Sequence, residues 1–111
     1  KSLAIGDPGD GIYVLKRLKQ YGGIAEEATN DEIIDGIMAL AKTEGIFTEP
    51  AGGVSIAVLK KLVDDGFIEK NEKVVCYVTG NGLKSTEAII SALPKLDIVK
   101  PDVQTVSAMI T

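Results

Sequence analysis

The sequence predicts an α/β fold: a three-layer arrangement in which a parallel sheet is covered by crossover helices. Three observations predict it. Short apolar runs alternate with longer stretches of helical periodicity, in the order β-α-β-α-β-α-β-α. That alternation is the pattern of parallel strands joined by crossover helices. The run from Lys73 to Val78 has hardly a polar side chain after its first residue, and it stops at Thr79 before a Gly80-Asn81-Gly82 turn. Such a run reads as a strand buried on both faces. Twelve glycines in 111 residues suit many tight connections between elements.

Leu3 to Ile5 is read as a short extended piece. The dense turn Gly6-Asp7-Pro8-Gly9-Asp10-Gly11 follows. Asp7 and Asp10 would repel an anion there, and the glycine spacing is not that of a P-loop or a dinucleotide fingerprint. The turn is therefore read as a loop with Asp10 as candidate N-cap. Ile12 to Tyr21 is predicted helical, with Leu15, Leu18 and Tyr21 on one face and Lys16, Arg17, Lys19 and Gln20 solvated. Ile24 to Ala28 is a second strand, polar enough to lie near an edge. Thr29 and Glu32, three residues apart, fit a capping box. Ile33, Ile34, Ile37, Met38 and Ala41 form the apolar stripe of the next helix, ending near Glu44 before Gly45. Gly36 inside that helix costs up to roughly 1 kcal/mol against alanine, so close approach of another element is predicted there.

Ile46 to Pro50 is a short extended segment, with Pro50 holding Glu49 out of the helical region. A third helix is predicted from Ala51 to about Asp65, with Gly66 just past its end. Its apolar residues cover so much of its circumference that packing on more than one side is expected. The run from Lys73 to Val78 is the central strand. A fourth helix is predicted from Ser85 to Leu93, ended by Pro94. Asp97 to Lys100 is read as extended, and Pro101-Asp102 as the cap of a last helical turn or two.

Composition narrows the chemistry. Hydrophobic residues make up 45% and charged residues 25%, ordinary for a globular protein. The net charge of -4 argues against a nucleic-acid partner, which calls for a basic face. No apolar run approaches the ~18 residues of a membrane span, and no signal peptide is visible. The absence of histidine excludes Ser-His and Cys-His nucleophile pairs, a histidine base and a histidine-ligated zinc. The single cysteine, Cys76, has no internal disulfide partner and reads as a small buried hydrophobe in a reducing cytoplasm. Chemistry is left to carboxylates, lysines, hydroxyls, backbone groups or a bound cofactor. With no methionine ahead of Lys1, the chain is expected to be a piece of a longer one.

Ligands of open α/β sheets bind outside the carboxyl ends of the strands. Thr79, the Gly80-Asn81-Gly82 turn and Glu49-Pro50-Ala51-Gly52-Gly53 are expected to meet at that edge. Taken singly, each has a plain structural account: a β-branched strand end, a surface carboxylate beside a helix start, and glycines for close packing. Together they carry a resemblance. Thr43-Glu44-Gly45-Ile46-Phe47-Thr48-Glu49-Pro50-Ala51-Gly52-Gly53, followed by Val78-Thr79-Gly80-Asn81-Gly82-Leu83-Lys84, resembles the C-terminal part of the threonine synthase family. Ala4-Ile5-Gly6-Asp7-Pro8 and Tyr21-Gly22-Gly23-Ile24-Ala25-Glu26 resemble it as well. The resemblance runs over residues 1 to 93, leaving 94 to 111 as a C-terminal tail. Glu-Pro-x-Gly alone is common among relatives of this fold; the two motifs in this order and at this separation are specific.

The resemblance implies a segment, residues 1 to 111, of a pyridoxal-phosphate-binding catalytic domain with the tryptophan-synthase-β-like fold (fold type II). The family converts O-phosphohomoserine and water to threonine and phosphate. Thr79 matches the residue that holds the pyridine nitrogen of pyridoxal phosphate, and Gly80 and Glu49 would border the ring with the Ala51-Gly52 backbone. A threonine hydroxyl can donate a hydrogen bond to that nitrogen without encouraging its protonation as a carboxylate would. The family's Schiff-base lysine, the asparagine near the cofactor hydroxyl and the phosphate-holding loop lie upstream of the matched region. No lysine here sits in a matching motif, so no catalytic residue is assigned, and the isolated chain is expected to be inactive. Two alternatives stay open. One is a segment of a relative such as cysteate synthase or threonine dehydratase. The other is a stand-alone, non-catalytic α/β module that binds a small ligand or a protein. The expected partners are a small amino-acid phosphate substrate and a second copy, paired through an uncovered sheet face.

Overall fold

The α2–α3 hairpin is the centre of the chain. In the computed structural model, which describes residues 3–95 and 98–110, four α-helices follow one another: α1 Gly11–Tyr21, α2 Asn30–Glu44, α3 Pro50–Asp64 and α4 Val103–Ile110. Two single turns of 3₁₀ helix, Gly82–Lys84 and Thr86–Ala88, lie between α3 and α4.

The predicted capping box forms at the start of α2. The Thr29 hydroxyl accepts from the Glu32 N–H at 3.3 Å, and the Glu32 carboxylate accepts from the Thr29 N–H at 2.7 Å. Asp31 and Glu32 in the first turn and Lys42 in the last complement the helix dipole. Gly45 ends the helix at φ 68°, where its N–H reaches the Ala41 carbonyl. Helix α3 begins with Pro50 at its first position, where a missing N–H costs nothing. Gly66, at φ 75°, follows its end.

Helices α2 and α3 cross where both carry glycine. A Cβ on Gly36 would sit 2.5 Å from the Gly53 carbonyl oxygen, and one on Gly53 would sit 2.7 Å from the Ile33 carbonyl oxygen. The backbones touch because neither residue has a side chain, as the position of Gly36 predicts. Lys61 ties the same pair together at its solvent side. Its ammonium pairs with Glu32 at 2.9 Å and donates to the Glu27 carbonyl at 2.8 Å. The buried apolar residues are Ile37, Leu40, Ala57 and Ile89 among those described. Ile37 of α2 and Ile89 line one apolar groove with Met38, Phe47 and Leu93.

The predicted parallel sheet is absent from the described residues. Of the four predicted strands, Leu3–Ile5, Ile24–Ala28 and Lys73–Val78 form no ladder, and Ile46–Pro50 makes a single antiparallel bridge, between Thr48 and Asn81. Val75 and Tyr77, expected inside a covered sheet, are 81% and 79% exposed. The physical reason lies in what an apolar run encodes. Its composition reports a preference for burial, whereas a parallel strand also needs neighbours to receive its N–H and C=O groups. None of the described segments forms a ladder with it. The uncovered sheet face expected to pair two copies is therefore replaced by an exposed apolar segment.

Other differences follow from local geometry. Of the predicted fourth helix, Ser85 to Leu93, only a single 3₁₀ turn, Thr86–Ala88, forms; Ser85 at its start, at φ -145° and ψ 44°, is outside the helical region. Among the named elements, helix α3 packs chiefly on α2. Val63 on its far side is half exposed. Helix α1 has no buried residue, and its N-cap Asp10 makes no side-chain capping bond. The last helix, Val103–Ile110, is about two turns long, as expected. Asp102 caps it, accepting from the Thr105 N–H at 2.8 Å. Asp97, the predicted start of the late extended segment, lies outside the described residues.

The radius of gyration is 18.4 Å, against about 13 Å for a compact domain of this length. The described chain is elongated, 63 Å along its longest axis against 19 Å along its shortest.

Candidate functional site

The two motifs singled out in the sequence meet in a clasp ahead of α3. Phe47, Thr48 and Glu49 run antiparallel to Gly80, Asn81 and Gly82. The Glu49 N–H donates to the Gly80 carbonyl at 3.0 Å, and the Gly82 N–H donates to the Phe47 carbonyl at 3.0 Å. The bridge between Thr48 and Asn81 sits between these two bonds. Asn81 closes its own turn by accepting from the Leu83 N–H at 2.8 Å.

Local sequence explains why the chain can do this. Glu49, at φ -70° and ψ 168°, is held extended by the following Pro50 and serves as the residue before the helix. The approach requires glycine on the opposite side. A Cβ on Gly80 would occupy the space of the Glu49 carboxyl group, and a Cβ on Gly82 would meet the Phe47 ring at 2.5 Å.

Each candidate residue has a definite place. Thr79 is exposed, one residue before the clasp. Gly80 is half-buried and takes the Glu49 carboxylate against its Cα. Glu49 is itself half-buried at the N-terminal end of α3, where helix peptide dipoles favour a negative group. The structure thus brings Glu49 and Gly80 into contact, with Thr79 adjacent in the chain. Cys76 is a free thiol at intermediate exposure. Gly52 and Gly53 are both buried: Gly52 faces the Thr48 side chain, and Gly53 faces Ile33 and Ile37. Their missing side chains serve packing, so this pair is no phosphate cradle.

Sequence reasoning passed over Thr48. It is completely buried, and its hydroxyl donates to the Gly80 carbonyl at 3.1 Å, with the Glu49 carbonyl 3.3 Å away. The available signal was a hydroxyl residue four positions before Gly52, a spacing that places a small residue beneath it.

The chemistry this edge offers is limited and specific. It presents a free hydroxyl, a carboxylate and a helix N-terminus within one short stretch of surface. Those groups provide neither a nucleophile–base pair nor, among the described residues, a cluster able to hold a metal. No helix among the described residues is long and apolar enough to cross a membrane.

Comparison with known proteins gives the family. The family of pyridoxal-phosphate dependent enzymes matches residues 1–80. Threonine synthase of Methanocaldococcus jannaschii is 44% identical over 91 residues, 82% of this chain and 22% of that protein. Threonine synthase of Methanosarcina acetivorans is 36% identical over 105 residues, 95% of this chain and 26% of that protein. The Mycobacterium tuberculosis threonine synthase is 36% identical over 101 residues, 91% of this chain and 28% of that protein. The chain thus spans about a quarter of the length of the curated relatives it matches. With more than half its length inside the family match, this chain belongs to the pyridoxal-phosphate dependent enzymes.

Proposed function

We propose that this chain is the C-terminal part of a threonine synthase, an enzyme that converts O-phosphohomoserine and water to threonine and phosphate. The observation that carries the reading is the clasp. Glu49 of one motif and Gly80 of the other, thirty-one positions apart in sequence, are joined by a 3.0 Å backbone bond. The relatives that align with this chain bear the name threonine synthase, which favours that reaction over those of other family members.

In this reading Thr79, Gly80 and Glu49 border the ring of pyridoxal phosphate, which when bound supplies an electron sink for carbanion chemistry. The exposed Thr79 hydroxyl donates to the pyridine nitrogen and holds it without delivering a full proton. Glu49, braced against Gly80, fixes the border of the ring site. The cofactor-bearing lysine and the phosphate-holding loop belong to the remaining three-quarters of such an enzyme, so the 111-residue chain by itself is expected to be inactive. The substrate is a small amino-acid phosphate. Residues 1–93 form part of the catalytic domain and 94–111 its tail. A cytoplasmic location and pairing with a second copy belong to the same reading, the first supported by the single, unpaired Cys76.

The test is Thr79→Val and Thr79→Ser in the native full-length protein. Valine is expected to weaken pyridoxal-phosphate binding and shift the cofactor's absorption, and serine to restore both. A valine variant with unchanged spectrum, affinity and rate would sink the assignment.

A further inference from the structure

Thr48 is the one buried polar residue among those described, with no exposure at all. Its hydroxyl has a single proton to give, and the nearer acceptor is the Gly80 carbonyl at 3.1 Å. The same carbonyl already accepts the Glu49 N–H at 3.0 Å. Two donors therefore converge on one oxygen, using both of its lone pairs. That oxygen belongs to a glycine, the residue whose backbone is least constrained by its own side chain. Holding it from two sides fixes the turn on which Thr79 stands.

The opposite side of Thr48 is equally specific. A Cβ on Gly52 would lie on top of the Thr48 hydroxyl oxygen. Gly52 is in the first turn of α3, so the helix opens a space for this one side chain. Burying a hydroxyl costs free energy unless its hydrogen bond is made. A valine of the same shape would fill the space without that demand. The hydroxyl makes a bond that valine could not, a task other than filling the core.

We propose that Thr48 is a positioning residue: by clamping the Gly80 carbonyl, it sets the placement of Thr79 relative to Glu49 at the ring-nitrogen side of the cofactor. This rests on the proposed function above. Thr48 is buried beneath the edge and acts through Gly80, while Thr79 and Glu49 face the ring.

The experiment uses the native full-length protein and three substitutions, Thr48→Val, Thr48→Ser and Thr48→Cys, with Thr79→Val as the reference. Pyridoxal-phosphate affinity and the cofactor absorption band are measured, together with amide exchange of Glu49 in the cofactor-free protein. Loss of the clamp is expected to weaken affinity about tenfold in Thr48→Val, the scale of one hydrogen bond, with serine within about twofold of the parent. The band should move in the same direction as in Thr79→Val, and the Glu49 amide should exchange faster. Should the valine variant not fold, the serine and cysteine pair decides. Cysteine keeps the unbranched shape of serine with a larger atom that is a weak donor, so it should lose affinity where serine does not. A Thr48→Val protein that melts lower yet keeps its cofactor affinity and band overturns the proposal, as does a cysteine variant that behaves like serine. If Thr79→Val also leaves the cofactor untouched, the ring-site reading itself has failed; if Thr79→Val alone perturbs it, only the role of Thr48 has.

Discussion

Glu32 shows how much one side chain can be asked to do. Its carboxylate accepts from the Thr29 N–H and hydroxyl and pairs with Lys61 across the helix interface. The Thr29 backbone bond and the Lys61 bond, in that order, pull its pKa from 4.5 down to about 2. A carboxylate depressed on folding stabilises the native state above its unfolded pKa and loses that contribution as pH falls through the folded one. The α2–α3 pair should therefore weaken between about pH 4.5 and pH 2. Acid titration followed by circular dichroism should show that slope, and Glu32→Gln should flatten it. Thr29→Ala removes the other half of the box and is expected to cost about 1 kcal/mol in denaturant unfolding. This site was legible in advance, because a capping box is written in residues three apart. Lys61 was not, since it arrives from a helix 29 positions further along the chain.

At the level of elements, the helix crossing is the main contact between helices among the described residues. Gly36→Ala or Gly53→Ala would drive a methyl group into a backbone carbonyl at about 2.5 to 2.7 Å, where no rotamer change gives relief. Each is expected to cost about 1–3 kcal/mol, as overpacked sites do, measurable as a lower denaturation midpoint. An alanine at Gly45, which faces open space, costs through its positive φ alone and makes the contrast. The glycine inside a helical pattern announced the crossing, since nothing else repays its cost. The failed elements are equally instructive. The helix predicted from Ser85 to Leu93 shrinks to one 3₁₀ turn, and the run from Lys73 to Val78 has a strand's composition with no strand beside it.

Across the whole molecule, apolar surface is the outstanding property. Ile12, Tyr13, Val75, Tyr77, Val103 and Ile98 are each at least 70% exposed. Apolar surface of this extent is a site of association or aggregation. The isolated chain is expected to bind a hydrophobic dye and to sediment as species heavier than a monomer. Replacing Val75 and Tyr77 with lysine should reduce both signals while leaving helical circular dichroism intact. A monomer that binds no dye would show that this surface is covered in solution.

What the sequence by itself determined was everything encoded over short distances: the cap at Thr29, the stops at Gly45 and Gly66, the glycine at the helix crossing, and the two motifs that carry the family resemblance. These depend on residues within a turn or two of one another, or on side-chain identity alone. The tertiary structure decided the rest. It placed Glu49 against Gly80, it buried Thr48 between Gly52 and that carbonyl, and it left the apolar run at 73–78 unpaired. Each of those outcomes depends on which distant backbone comes alongside, and hydrophobic pattern and propensity carry no record of the partner.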